Sequence, residues 1–167
     1  ATSIDGIDPK RRAAVRSVVR RVRRDLARLG TSPDEFGLIH ADLHLGNVVV
    51  DRGVARPIDF DDCGFGWLAF EWAVTMTWSL GHPKAERAKA AWLAGYESVR
   101  PMPEAQREAF DLMALARTVT MLGWCASRAD HARIRARLPL QAKAVVQRGE
   151  AYRAGVPQTQ VPFPRSA

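Results

Sequence analysis

Three side chains in one short stretch could carry chemistry together. They are Asp42 and Asn47, in His40-Ala41-Asp42-Leu43-His44-Leu45-Gly46-Asn47, and Asp59, in Pro57-Ile58-Asp59-Phe60-Asp61. A carboxylate such as Asp42 can accept or orient the proton of a substrate hydroxyl. An amide oxygen on Asn47 and a carboxylate on Asp59 are hard oxygen donors suited to magnesium. That set is what transfer of a phosphoryl group from a nucleotide needs: one carboxylate beside the accepting hydroxyl, and two donors for the ions that bridge the phosphates. Singly, Asp42 could be a loop aspartate and Asn47 a turn residue entering a strand. Their order and spacing point instead to one site.

His40 and His44 flank Asp42 at alternate positions. His40, two residues before the carboxylate, is read as a hydrogen-bonding anchor of the loop. His44 is left open, either approaching phosphate or packing under the loop. A competing reading lets His40, Asp42 and His44, with Asp59, Asp61 or Asp62, hold zinc or a pair of metal ions for hydrolysis. Leu43-His44-Leu45-Gly46 reads as a loop rather than a continuing strand, which weighs against it.

The elements around these residues must position them. Asn47 to Asp51 is rich in β-branched residues and reads as a strand. Arg52-Gly53 is a turn, and Val54 to Phe60 returns. Pro57 limits that strand's pairing or puts it at an edge. An antiparallel hairpin would bring Asn47 and Asp59 together. Leu38-Ile39-His40 is a short extended piece. Before it, Val15, Val18, Val19, Val22, Leu26 and Leu29 recur at helical spacing from Pro9 to Leu29, with Asp8 as N-cap and Gly30 as terminator. From Trp67 onward the chain reads as helical: an apolar segment from Leu68 to Leu80, then helices over 83–99, 104–128 and 130–153, with Pro139 a candidate break. Residues 1–155 are expected to form one unit and 156–167, with three prolines, a loosely attached tail.

The chain has 167 residues, of which 47% are hydrophobic, enough for one domain with a real core and too apolar for a disordered tail. No membrane span or signal segment is visible, and Cys63 and Cys125 are too few for a disulfide scaffold. A reduced, cytoplasmic setting is expected. The net charge of +7 is carried mainly by arginines over 11–28 and 128–137. Without interleaved aromatic rings these read as solvated helix faces, not as a specific nucleic-acid surface. Trp67, Trp72, Trp78, Trp92 and Trp124 read chiefly as packing residues, one of which could face a cationic substrate.

At the loop and the turn after the hairpin, the chain resembles the aminoglycoside phosphotransferase and choline kinase-like family, whose fold is related to the protein kinases. His40 to Asn47 is similar to its catalytic loop, H-G-D-x-H-x-x-N, and Ile58-Asp59-Phe60-Asp61-Asp62 to its metal-binding segment, I-D-[FW]-[DE]. The resemblance implies Asp42 as catalytic base, Asn47 and Asp59 as magnesium ligands, His40 as loop anchor, and ATP as phosphoryl donor. Phe70-Glu71-Trp72-Ala73 stands where the family has an Asp-Leu-Ala helix start, which implies that Glu71 ties down the loop. The implied fold is α+β, mainly α: a kinase-like C-terminal lobe with a short hairpin beside the catalytic loop and a helical bundle.

Ahead of the loop there is no Gly-rich segment, and the sole lysine, Lys10, is not in a strand-like stretch. The implied N-terminal lobe is therefore expected in cis or in trans, with little turnover by this chain alone. The implied function is transfer of the γ-phosphoryl group of ATP to a hydroxyl of a small molecule whose identity is not readable. A non-catalytic remnant that binds nucleotide weakly or serves as a partner module is the alternative.

Overall fold

The computed structural model describes residues 7–164. The first six residues of the expected catalytic unit and the last three of the expected tail lie outside the described residues. The fold is α+β and mainly helical, as expected, with two small antiparallel ladders at one edge.

Helix α1 (Pro9–Leu26) begins where Asp8 accepts the Arg11 amide at 2.9 Å. It ends at Ala27, earlier than Gly30, because carbonyls of the last turn are already taken by Ala27, Arg28 and Leu29 amides. Its apolar stripe packs on α5 (Phe110–Ser127) and α7 (Leu138–Arg153) through Val15, Val18 and Val22. A second core lies between α2 (Ala69–Met76), α3 (Ala85–Glu97) and α5. There the fully buried Trp72 stacks on Phe110 with ring centroids 4.5 Å apart, and Trp92 meets Phe110 edge-on.

Two expected helices divide. The stretch from Glu104 becomes α4 (Glu104–Glu108) and α5, joined at Ala109. The stretch from Asp130 becomes α6 (Ala132–Arg135) and α7, with Pro139 in the first turn of α7, where a missing N–H costs nothing.

The ladders enclose the site. Strands β2 (Val48–Asp51) and β3 (Val54–Pro57) form the expected hairpin, in register Val48↔Pro57 and Asp51↔Val54. Arg52 and Gly53 turn it with φ of 48° and 79°, the left-handed pair that a two-residue hairpin turn requires. Asn47 sits in a single 3₁₀ turn (Leu45–Asn47) ahead of β2, and β3 stops at Pro57, short of Phe60. The unexpected element is β4 (Gly64–Trp67), which pairs with β1 (Phe36–Ile39) in register Phe36↔Trp67 and Ile39↔Gly64. This outer ladder closes the base of the whole excursion over residues 40–63.

The segment after α7 is not loosely attached over its described residues. Gln158, Thr159 and Val161 are buried. Arg148 is only 1% exposed and donates to the Gln158 and Val161 carbonyls at 3.2 and 2.7 Å. Desolvation lowers its pKa to about 10. Prolines limit helix here without preventing burial, because the segment's carbonyls find a buried guanidinium.

Candidate active site

The loop at 40–47 is held from three directions. His40 is buried and faces the Ile58 carbonyl at 2.9 Å; since a carbonyl only accepts, Nε2 carries the proton. Its ring also packs against Phe60, with centroids 4.6 Å apart. From α2, Glu71 Oε1 accepts the Ala41 amide at 2.6 Å, and one turn later Thr75 donates its hydroxyl to the Leu43 carbonyl at 2.8 Å. Burial pushes the Glu71 carboxyl above its ordinary value, opposed by that amide bond and by the charges of His40 and Arg117. From α5, Arg117 reaches Asp42 Oδ1 at 2.6 Å.

Inside the loop, Asn47 Nδ2 donates to the Asp42 carbonyl at 3.0 Å, and Asp42 Oδ2 lies 3.5 Å away. This fixes the amide's orientation and leaves Asn47 Oδ1 as the oxygen for a ligand. The Asn47 carbonyl accepts the Ile58 amide at 2.9 Å, so the residue next to Asp59 is bonded to Asn47. His44 folds back over its own turn: Nδ1 accepts the Gly46 amide at 3.0 Å, and Nε2 stands 3.6 Å from Asp42 Oδ2. A Cβ on Gly46 would come within 2.9 Å of the His44 ring, so a side chain there would have to displace the ring from this bond.

Three non-glycine residues among those described have positive φ: Arg52 in the hairpin turn, Ala41 at 63° and Asp59 at 65°. The last two lie beside Asp42 and on a candidate metal ligand. Left-handed backbone at Ala41 has no steric excuse of its own, and such positions persist where surrounding contacts over-determine them. Here the Glu71 bond does so.

The structure thus gathers Asp42, Asn47, His40, His44 and Glu71 into one hydrogen-bonded cluster, with Asp59 beside it. Asp61 is exposed, and no side-chain bond or ion pair joins it to another described residue. Two participants escape sequence reasoning. Thr75 is marked only by lying one turn beyond Glu71. Arg117 is a lone charge between apolar residues, in Ala114-Leu115-Ala116-Arg117-Thr118-Val119, on a mostly buried helix. That isolation was a usable signal.

Among the described residues, no group of three or more His, Cys, Asp or Glu side chains could hold a metal ion. The hydrolase constellation is therefore not assembled: His40 is bonded to Ile58 and His44 to its own turn. For magnesium the donor set is different, one amide oxygen and one carboxylate, with the remaining positions left to phosphates and water. Asn47 Oδ1 and the Asp59 carboxylate are donors of that kind, on segments joined by the Ile58 amide's bond to the Asn47 carbonyl.

The tryptophans divide. Trp72 and Trp92 are core residues, and Trp67 donates to the Gly30 carbonyl at 3.0 Å beside Phe36. Trp78 and Trp124 are exposed beside Asp42. Leu38 and Phe65, cross-strand partners on the outer ladder, are exposed, as are Val50 on the hairpin and Leu45 on the turn ahead of it, so this edge leaves apolar side chains in solvent. No described helix is long and apolar enough to cross a membrane.

Comparison with known proteins places this geometry. Residues 2–110 match the phosphotransferase enzyme family. The amicoumacin kinase of Bacillus subtilis (strain 168) is 41% identical over 59 residues, 35% of this chain and 18% of that enzyme. A solved microcompartment-associated aminopropanol kinase superposes with a TM-score of 0.78 at 27% identity, covering 96% of this chain and 50% of that one. The amicoumacin kinase hAmiN, solved in complex with AMP-PNP, Ca2+ and Ami, superposes with a TM-score of 0.71 at 22% identity, over 97% and 50%, a likeness of fold. The chain spans about half the length of these solved neighbours, and the stretch matched to the Bacillus subtilis enzyme covers under a fifth of it.

Proposed function

Because the chain belongs to the phosphotransferase enzyme family, we propose that it carries the catalytic half of an ATP-dependent kinase that phosphorylates a hydroxyl of a small molecule. The observation that supports this most is the cluster itself. Asp42 is bonded to Arg117 and held near Asn47, with the Asp59 segment tied to Asn47 through backbone. The solved neighbour with a bound ATP analogue and a divalent cation favours the same chemistry.

Asp42 receives or orients the acceptor hydroxyl. Arg117 fixes the direction of its carboxylate and leaves Oδ2 for the substrate. Glu71, Thr75 and His40 act through the loop backbone as positioning residues, so that Asp42 and Asn47 keep one geometry. Since phosphoryl transfer depends mostly on positioning and charge stabilisation, rigid support of this kind matters more than the strength of the base. Asn47 and Asp59 would hold magnesium, which when bound neutralises and orients the nucleotide phosphates. The reaction suits a cytoplasm that supplies ATP and keeps Cys63 and Cys125 reduced; both are free thiols here.

The phosphates also need a covering surface, which we assign to an N-terminal lobe, in cis or in trans. That lobe would sit on the edge that exposes Leu38, Leu45, Val50 and Phe65. Alone, the chain should bind magnesium-ATP weakly by calorimetry and release little phosphate. Joined to such a lobe, it should transfer label from γ-labelled ATP to a small alcohol, and Asp42→Asn should reduce that rate by about 10²–10⁴-fold. Wild-type turnover by Asp42→Asn would overturn the assignment of Asp42. Steady turnover by the isolated chain would overturn its reading as half an enzyme.

A further inference from the structure

We propose that the acceptor of this site is a compact hydroxyl compound with a flat apolar body and a carboxylate, held by Trp78, Trp124 and Arg137. The inference rests on the reading of Asp42 as the group that meets the acceptor hydroxyl. A cavity of about 300 Å³ opens directly beside that carboxylate, between the loop, the end of α2, α5 and the start of α7. It lies at the lower end of the range for small-molecule sites, enough for one ring and its substituents and too small to enclose several linked sugars.

Its walls are chemically uneven. Trp78 is 64% exposed and Trp124 40% exposed, and both line this one cavity with Met121 of α5. Two large, rigid indoles left in water beside a reacting group are a platform for a flat apolar partner. They could also attract a cation, but Arg128 already takes that place on Trp124, 4.5 Å over its ring. Arg117 and Arg137 balance Asp42 and Asp62 in the lining, and Arg128 beside it leaves the surroundings with one positive charge in excess.

The two lining arginines differ in availability. Arg117 is engaged by Asp42. Arg137 is exposed on the rim at the N-cap of α7, and no hydrogen bond or ion pair holds its guanidinium to another described residue. A free planar fork at the rim of an aromatic-walled cavity matches a carboxylate, which it can bind through two parallel hydrogen bonds. Asp62, the other lining carboxylate, excludes a second anionic group from its side of the rim. With the hydroxyl at Asp42, the ring between the indoles and the carboxylate at Arg137, the compound spans the cavity once.

The test uses the purified chain, without nucleotide, and three probes that share a benzyl alcohol body and carry an anionic, no, or a cationic para substituent: 4-(hydroxymethyl)benzoate, benzyl alcohol and 4-(aminomethyl)benzyl alcohol. Binding is followed by tryptophan fluorescence and by calorimetry. The benzoate should bind most tightly and the amine most weakly. Arg137→Gln should weaken the benzoate by about tenfold or more, as loss of a charge-assisted pair does, and leave benzyl alcohol unchanged. Trp124→Leu should weaken both and show an unaltered thermal melt. Equal or tighter binding of the amine, an Arg137→Gln variant with wild-type affinity for the benzoate, or no saturable binding of any probe overturns the proposal. Because nucleotide is absent, these results stand apart from the kinase assay. Arg137-dependent binding with no phosphoryl transfer by the lobe-joined protein would sink the kinase reading and keep the anion site. Transfer to alcohols that ignore Arg137 would do the reverse.

Discussion

The edge that carries the candidate site and the helical body of this molecule are built on opposite terms. In the body, Trp72, Phe110, Met113 and Leu115 are buried, and apolar contact is the main source of stability, with Arg148 and Gln158 buried in mutual hydrogen bonds. At the edge, over residues 36–67, the strands are four residues long, large apolar side chains face solvent, and order comes from hydrogen bonds reaching out of the body. Glu71 and Thr75 rise from α2 and Arg117 from α5 to grip a loop that has little core of its own. The difference separates two jobs. The body can be stable without the loop's geometry, whereas the loop cannot keep its geometry without the body. Ala41 shows this directly, because its left-handed backbone is held by a carboxylate thirty positions away in the chain.

Changes that fall on only one side of this division test it. The largest effect on stability should come from Trp72→Ala. Removing a fully buried indole stacked on Phe110 should cost about 3–5 kcal/mol in urea unfolding. A loss no larger than that of a surface substitution would mean the body is not the stabilising region.

The next effect lies at the junction and depends on pH. The folded state raises the Glu71 pKa above the ordinary 4.5. The protonated acid therefore contributes stability that is complete below the ordinary value and is lost as pH rises through the raised one. Glu71→Gln can still accept the Ala41 amide and has no charge to bury. Its stability relative to wild type should rise as pH increases above the ordinary 4.5, read from denaturation midpoints. An advantage that shrinks as pH increases would show that the ionised carboxylate is the favoured form.

A smaller change sharpens the account of the loop. Ala41→Gly relieves a left-handed residue that costs roughly 1–2 kcal/mol and adds unfolded-chain freedom that offsets part of it. A net gain of at most about 1 kcal/mol is expected in the same assay. A clear loss would mean the alanine methyl packs usefully.

The smallest effect on the chain itself should come from Phe65→Ser, at a ring 78% exposed. Stability should change by no more than about 0.5 kcal/mol. Association with an N-terminal lobe supplied in trans should weaken, as measured by calorimetry. Unchanged association would remove this edge as its docking face.

Much of the edge was legible because its contacts are local. The turn at Arg52-Gly53, the β-branched run from Val48 and the return to Pro57 fix the hairpin, and the hairpin fixes Asn47 beside the Asp59 segment. The alternation of apolar and basic residues likewise marked α1. Strand β4 was not legible. Gly64-Phe65-Gly66-Trp67 is short and half glycine, which weakens a strand, and it becomes one only because β1 offers it a partner. Nor was the burial of the segment after α7, where three prolines suggested loose chain. Arg148 reverses that by placing a guanidinium against its carbonyls.

The sequence by itself determined the candidate site residues and their near neighbours: Asp42, Asn47 and the Asp59 segment, linked through turns and one hairpin that short-range sterics and hydrogen bonding dictate. The tertiary structure alone decided what holds them and what they face. Arg117 meets Asp42 across 75 positions, and Glu71 meets Ala41 across 30. Trp78 and Trp124 are assigned to the cavity, while Trp72 and Trp92 are assigned to the core. Spacing cannot reveal such choices, since they depend on how helices far apart in the chain pack and on which faces that packing leaves open.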